Sequence, residues 1–312
     1  MSFDKSLIMT KKLNKLLPIL ILCVSSTFAQ QEPQFAQYFD NTLYVNPAYA
    51  GSKGVLNLMA LHREQWVGFD GRPRSTTLSI QSPLSYESVG LGLTFVNDVV
   101  GPLTQTMAYG DFSYTLKFAG NRKLAFGLKA GANLINLGTS NLSTTTEGDP
   151  SFLQSVHNRV NPNFGLGVYY HTPKFFIGAS SPKLVERSYT PFDQTTLEKR
   201  HFFGIAGLVF NAGRMWKIRP TTQLKITNGA PLSLDLSLAG IFDDRFYIGA
   251  MYRLDAATGV FIQYQMTPQF KAGFATEFGT QAIRKYNDGT FELMLSYDFV
   301  FKKTGVRSPR YF

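Results

Sequence analysis

The residues that could do chemistry are few and scattered along the chain. The four histidines, His62, His157, His171 and His201, have no partner at metal-ligand spacing. His62, His157 and His171 fall near strand ends or in loops, where a rim residue is the plainer reading. There is no G-x-S-x-G, no P-loop and no H-E-x-x-H. GLG at 90–92 and again at 165–167 lacks the helix that a dinucleotide fingerprint requires, and reads instead as strand glycine making room inside a barrel. Asp243-Asp244 sits in a tight turn, so turn chemistry accounts for it. A Ser/His pair assembled from distant strands would be the enzymatic alternative, and no residue marks one. The chain is therefore expected to be non-enzymatic, with no catalytic, cofactor-binding or metal site.

The elements around these residues follow a period of two. In Pro231–Ile241, Leu232, Leu234, Leu236 and Leu238 point one way, and Ser233, Asp235 and Ser237 the other. Phe291, Leu293, Leu295, Tyr297 and Phe299 likewise oppose Glu292, Ser296 and Asp298. Such runs predict about fourteen strands, near 53–62, 74–82, 88–97, 103–118, 122–137, 161–171, 173–180, 199–211, 215–226, 231–241, 244–254, 257–266, 268–278 and 290–300. No convincing helical period follows the first thirty residues.

Alternation alone suits a soluble sandwich as well as a membrane barrel, and connection length separates the two. Tight turns such as AGNR after Phe118, HTP at 171–173 and FDD at 242–244 fall at one end of the strands. The long connections, such as HREQWVGFDGRPR, 138–160, 181–198 and GTQAIRKYNDGT, fall at the other. Outer-membrane barrels sort their loops in this way, with short periplasmic turns and long external loops. Aromatic residues at 14% and charged residues at 17% also suit a greasy outer wall better than a soluble enzyme. The fold class expected is all-β, a transmembrane antiparallel β-barrel over residues 53–301.

Residues 1–29 read as a cleaved signal peptide: Lys11, Lys12 and Lys15, then an apolar run over Leu16–Val24, then Thr27-Phe28-Ala29 as the cleavage site. Leu22 is too bulky to precede a lipidated cysteine, so Cys23, the only cysteine, leaves with the signal. Its removal lowers the formal charge from +10 to about +7. The expected location is the outer membrane. A basic exported chain suits outer-membrane lipid, peptidoglycan or an acidic partner, and excludes nucleic acid. Residues 302–312, with Lys302, Lys303, Arg307 and Arg310, form a basic tail.

Residues 30–52 contain PQFAQYFDNTLYVNPAYAGS, an aromatic stretch with neither helical nor strand period. With LHREQWVGFDGRPRSTTLSIQSPL at 61–84, it resembles the PorP/SprF family of the type IX secretion system of Bacteroidetes. Pro33, Gln34, Phe35, Gln37, Tyr38, Asn46, Pro47, Ala48, Tyr49, Ala50 and Gly51 match that family's N-terminal pattern. Arg63, Gln65, Trp66 and Gly68 match its R-x-Q-W-x-G element, and Pro73 and Thr76 a third element. Glu32 and Ala36 depart from the usual residues, and the ending SPRYF favours the SprF-like side. The resemblance implies a non-enzymatic outer-membrane barrel that works with the type IX translocon and periplasmic ring lipoproteins. It also implies secretion and surface attachment of large adhesins bearing a type B C-terminal domain, with gliding motility as one setting. The alternative is a passive channel or porin.

Tyr38, Phe39, Tyr44 and Tyr49 are too many aromatics to leave in water. Residues 33–50 are therefore expected to pack inside the barrel or across its periplasmic mouth, with Asn46-Pro47 turning the chain into the first strand. A second expected surface is the first long loop, where Trp66 and Phe69 are flanked by Arg63, Arg72 and Arg74. A membrane-interface girdle position is the plainer reading of Trp66.

Overall fold

The computed structural model describes residues 32–84, 88–138, 155–188 and 197–300. The signal peptide and the basic tail expected from the sequence lie outside these residues. Fourteen strands form the wall: β1 Leu56–Glu64, β2 Arg74–Pro83, β3 Val89–Val100, β4 Leu103–Phe118, β5 Arg122–Leu137, β6 Val156–His171 and β7 Phe175–Ser181. They continue with β8 His201–Leu208, β9 Trp216–Thr227, β10 Ser233–Phe242, β11 Phe246–Arg253, β12 Ala257–Gln265, β13 Phe270–Gly279 and β14 Thr290–Phe299. Each strand pairs antiparallel with its neighbours in sequence. β1 pairs with β14, Leu56 opposite Phe299 and Glu64 opposite Phe291, which closes the barrel. Closure leaves no unpaired edge.

Side chains alternate between the two sides of the wall along every strand. In β3, Leu91, Leu93 and Phe95 are exposed on the outside while Thr94, Val96 and Asp98 are buried inside. In β10, Leu236 and Leu238 face out and Asp235, Ser237 and Ala239 face in. The greasy face therefore points outward and the polar face lines the lumen, the inverse of a soluble core. At the β10–β11 turn, Asp243 and Asp244 take φ of 50° and 54°, the left-handed pair of a tight turn that Arg245 closes by donating its N–H to Phe242 O.

The observed strands follow the expected ones closely, with two instructive differences. β6 begins at Val156 rather than near 161, because Asn158, Asn161 and Pro162 hide its alternation. It enters through an irregularity, a register shift opposite Ile135–Leu137. The strand expected to run to 211 ends at Leu208, and pairing with β9 resumes only at Phe210. The break lies opposite Pro220, which has no N–H to give the ladder. Among the described residues, one short α-helix, Thr42–Val45 (α1), and a 3₁₀ turn, Pro47–Tyr49, lie inside the barrel.

Candidate functional site

The residues before β1 thread the lumen. Phe35–Phe39 and Asn41–Ala50 are all buried, although no strand contains them. The path starts at Glu32, beside Lys183 of the long β7–β8 connection. It ends at Gly51, whose N–H donates to Gln81 near the opposite end of β2. Along this path the segment contacts strands β2 to β7 and β9 to β14. Representative contacts are Ser113 Oγ donating to Ala50 O at 2.7 Å, Ser180 Oγ to Val45 O at 2.8 Å and Gln34 Nε2 to Ser233 Oγ at 2.8 Å.

Aromatic packing explains why this stretch is rich in Tyr and Phe. Phe35 meets Tyr44 edge-on at 5.9 Å, Phe39 lies 5.2 Å from Phe261 of β12, and Tyr49 stands edge-on to Tyr169 of β6 at 5.4 Å. The Arg219 guanidinium sits 4.2 Å from the centre of the Phe39 ring. The Tyr38 hydroxyl is within hydrogen-bonding distance of Thr221 and Ser237. At the second bend, Asn46 Oδ1 accepts the N–H of Ala48 at 3.0 Å while its Nδ2 donates to Val168 O at 3.0 Å. Pro47 at the first 3₁₀ position has no N–H to leave unsatisfied there. NPAY is thus a capped turn held to the wall.

The wall is shaped to receive the segment. A Cβ on Gly90 would lie 2.1 Å from Ala50 O, and one on Gly167 would lie 2.1 Å from Asn46 Oδ1. A Cβ on Gly127 would likewise meet backbone, with Ala48 N at 2.1 Å. These positions need glycine because another chain occupies the space a side chain would take.

Charge holds the first turn of the segment. Arg63 of β1 points into the lumen, where Nη1 lies 2.7 Å from Glu277 and 2.5 Å from Glu292. Arg253 joins Glu277 at 3.2 Å and Asp235 at 2.7 Å. Glu292 then accepts the N–H groups of Ala36 and Gln37 at 2.6 and 3.1 Å. The series Asp235–Arg253–Glu277–Arg63–Glu292 thereby ends on the plug backbone. Such buried charges persist because each is paired and hydrogen-bonded. A second set holds the starting end, with Lys183 bridging Glu32 and Glu198, and Tyr44 donating to Glu32. Burial alone would raise the Glu32 carboxyl, but Lys183 and nearby His201 outweigh it and hold it at about 2. A third set is Asp40 with Lys271 at 2.5 Å and Gln263 at 2.6 Å. Lys129, paired with Asp111 at 2.7 Å, donates to Leu43 O.

The family-motif residues divide into two groups. Pro33, Gln34, Phe35, Gln37, Tyr38, Asn46, Pro47, Ala48, Tyr49 and Gly51 lie in the lumen segment, and Arg63 joins them through Glu292. Gln65, Trp66 and Gly68 lie in the β1–β2 loop. Gln65 donates its N–H to Pro73 O, Val67 donates to Gly289 O, and Trp66 stands edge-on to Phe69 at 6.5 Å. Arg63 was expected to flank Trp66 on the external loop. That placement is corrected: the β1 alternation turns Arg63 inward with Asn57, Met59 and Leu61. The inward parity of Asp235 and Glu292 was legible, whereas Lys183 and Glu198 come from an irregular connection that carries no periodic signal. Among the described residues, no group of three His, Cys, Asp or Glu side chains is placed to hold a metal ion.

Among solved structures, the chain is similar to the outer membrane protein Omp33 of Acinetobacter baumannii, at 9% identity and TM-score 0.47, covering 78% of this chain and 98% of that one. It is also similar to the KdgM porin, at 12% identity and TM-score 0.40, and to a Rh. blastica porin variant, at 12% and 0.35, each covering 78% of this chain and 99% of the other. No curated protein matches the sequence. The family described as type IX secretion system membrane protein PorP/SprF matches residues 27–297. With that match running from just before the lumen segment to the closing strand, the chain belongs to the PorP/SprF family of type IX secretion system membrane proteins.

Proposed function

We propose that this barrel is a non-enzymatic outer-membrane component of type IX secretion that supports the export and surface attachment of large adhesins with a type B C-terminal domain. The observation that carries this reading beyond family membership is the filled lumen. Residues 32–51 occupy the space through which a porin would pass solute, anchored to strands on all sides. A wall so plugged suits a docking and assembly part better than a passive channel. The partners on this reading are outer-membrane lipid, the translocon with its periplasmic ring lipoproteins, and the adhesin C-terminal domain. Adhesin-driven gliding is one process it would serve.

The test is deletion of the gene followed by mass spectrometry of cell-surface and culture-medium proteins. Loss of one or a few large adhesins from the surface, with general secretion intact, is the expected result for a cargo-dedicated, SprF-like part. Loss of every type IX substrate would instead make it a core, PorP-like part. No change in either fraction would overturn the proposal in favour of the channel reading.

A further inference from the structure

Four buried charges gather where the plug begins, and three of them are already joined. Lys183 of the β7–β8 connection bridges Glu32 and Glu198, the latter at 2.8 Å. The fourth is Lys225 of β9, turned inward and only 5% exposed. Among the described residues, its Nζ has no hydrogen-bond partner. A lysine buried without an anion is costly, so what surrounds it matters.

The strands flanking Lys225 offer it no free acid. Across β8 it faces Phe203, whose ring stacks with His201 at 6.3 Å. His201 in turn faces Thr227, and both of its ring nitrogens are unpartnered. Across β10 Lys225 faces Ser233, and the next inward residue there, Asp235, is taken by Arg253 at 2.7 Å. Ser233 is also the residue that holds the plug's Gln34, at 2.8 Å. Lys225 therefore stands beside the start of the plug. Glu32, two residues before Gln34, is the acid that acts on it most strongly.

We propose that Glu32 has two berths and exchanges between Lys183 of the connection and Lys225 of the wall. In the observed arrangement one lysine serves two carboxylates and the other serves none. After the exchange Lys183 keeps Glu198 and Lys225 gains Glu32, so each of the four charges has a partner. The Tyr44 hydroxyl, which donates to Glu32 in the observed berth, favours that berth and offsets the gain. The consequence is mechanical. The connection carries its own short ladder, Arg187–Ser188 against Leu197–Glu198, separate from the barrel sheet. With a second berth on the wall, the connection can shift when something outside engages it while the start of the plug stays fastened. The lumen is filled in both arrangements.

The experiment is a two-lysine cycle on the purified full-length barrel in detergent, read by limited chymotrypsin digestion at Phe35 and Tyr38. E32Q, which removes the charge from both berths, is the reference for a loosened start and should be cleaved faster than the unaltered protein. K183Q and K225Q should each change the cleavage rate by less than about twofold, and K183Q/K225Q should raise it about tenfold, as for partners that replace one another. Carbodiimide coupling, which joins a carboxylate to an amine with loss of water, gives a second readout by peptide mass spectrometry. A Glu32–Lys225 amide should form in the unaltered protein and increase in K183Q. A heat-modifiability gel confirms folding, and the comparison of K183Q with E32Q decides the matter should the double variant fold poorly. Cleavage of K183Q as fast as E32Q, simple additivity in the cycle, or E32Q cleaved no faster than the unaltered protein would each overturn the proposal. So would a Glu32–Lys183 amide in the unaltered protein with no Glu32–Lys225 amide in K183Q, which would leave Lys225 a hydrated wall residue.

Discussion

The guanidinium of Arg63 lies 2.5 Å from Glu292 Oε1, and that same carboxylate takes the backbone N–H groups of Ala36 and Gln37. One residue from the R-x-Q-W-x-G element therefore fixes the start of the N-terminal segment, through an acid on the last strand. The two motifs are separate in sequence and joined in the lumen.

Removing Arg63 leaves Glu292 without a charged partner and Glu277 with Arg253 alone. Arg63→Leu is expected to destabilise the barrel by about 3–5 kcal/mol, the usual result of breaking a buried ion pair from one side. Thermal unfolding in detergent, followed by the heat-modified gel shift, measures this. A melting temperature equal to that of the unaltered protein would show that the network does not hold the segment.

The close fit of Gly127 to Ala48 gives a way to displace the segment without removing it. In Gly127→Val the added side chain must push against backbone, at a cost of about 1–3 kcal/mol for an overpacked site. The barrel is expected to fold while the segment becomes open to limited chymotrypsin digestion at Phe35 or Tyr38. Protection equal to that of the original protein would contradict the packing described.

Asn46 caps the 3₁₀ turn with its oxygen and holds the wall with its nitrogen. Asn46→Ala should lose about 0.5–2 kcal/mol, the range for a lost cap. Asn46→Ser should recover part of that loss, since its hydroxyl accepts the Ala48 N–H as a cap does and lacks the donor to Val168. Equal melting of both variants would mean that the cap contributes nothing.

Glu32 gives a pH signature. Its carboxyl is held at about 2, below the ordinary 4.5, so its contribution is complete above 4.5 and is lost as pH falls through 2. The stability difference between the unaltered protein and Glu32→Gln is expected to be constant from pH 7 to 5 and to shrink below 4.5. Indistinguishable melting at every pH would remove Glu32 and Lys183 from the account.

The wall was legible because period-two alternation and turn residues are local signals. Leu232 to Leu238 against Ser233 to Ser237 announces β10 without knowledge of any partner. The lumen contacts were not legible. Glu292 could be assigned an inward face by parity, but nothing local says that it meets Arg63 from β1 and the amides of Ala36 and Gln37. Arg63 was misread for the same reason: its neighbours Trp66 and Phe69 suggested a loop, while the strand ran one residue past it to Glu64. The segment before β1 has no period because it packs against many strands in turn, each residue fitted to a different socket.

The measurement that bears most directly on the central claim is single-channel recording of the purified full-length barrel in planar bilayers. A lumen filled by residues 32–51 predicts no steady conductance, and a stable open level in the variant lacking residues 33–48. A steady ohmic conductance in the unaltered protein would contradict a filled lumen and return the barrel to the class of passive channels.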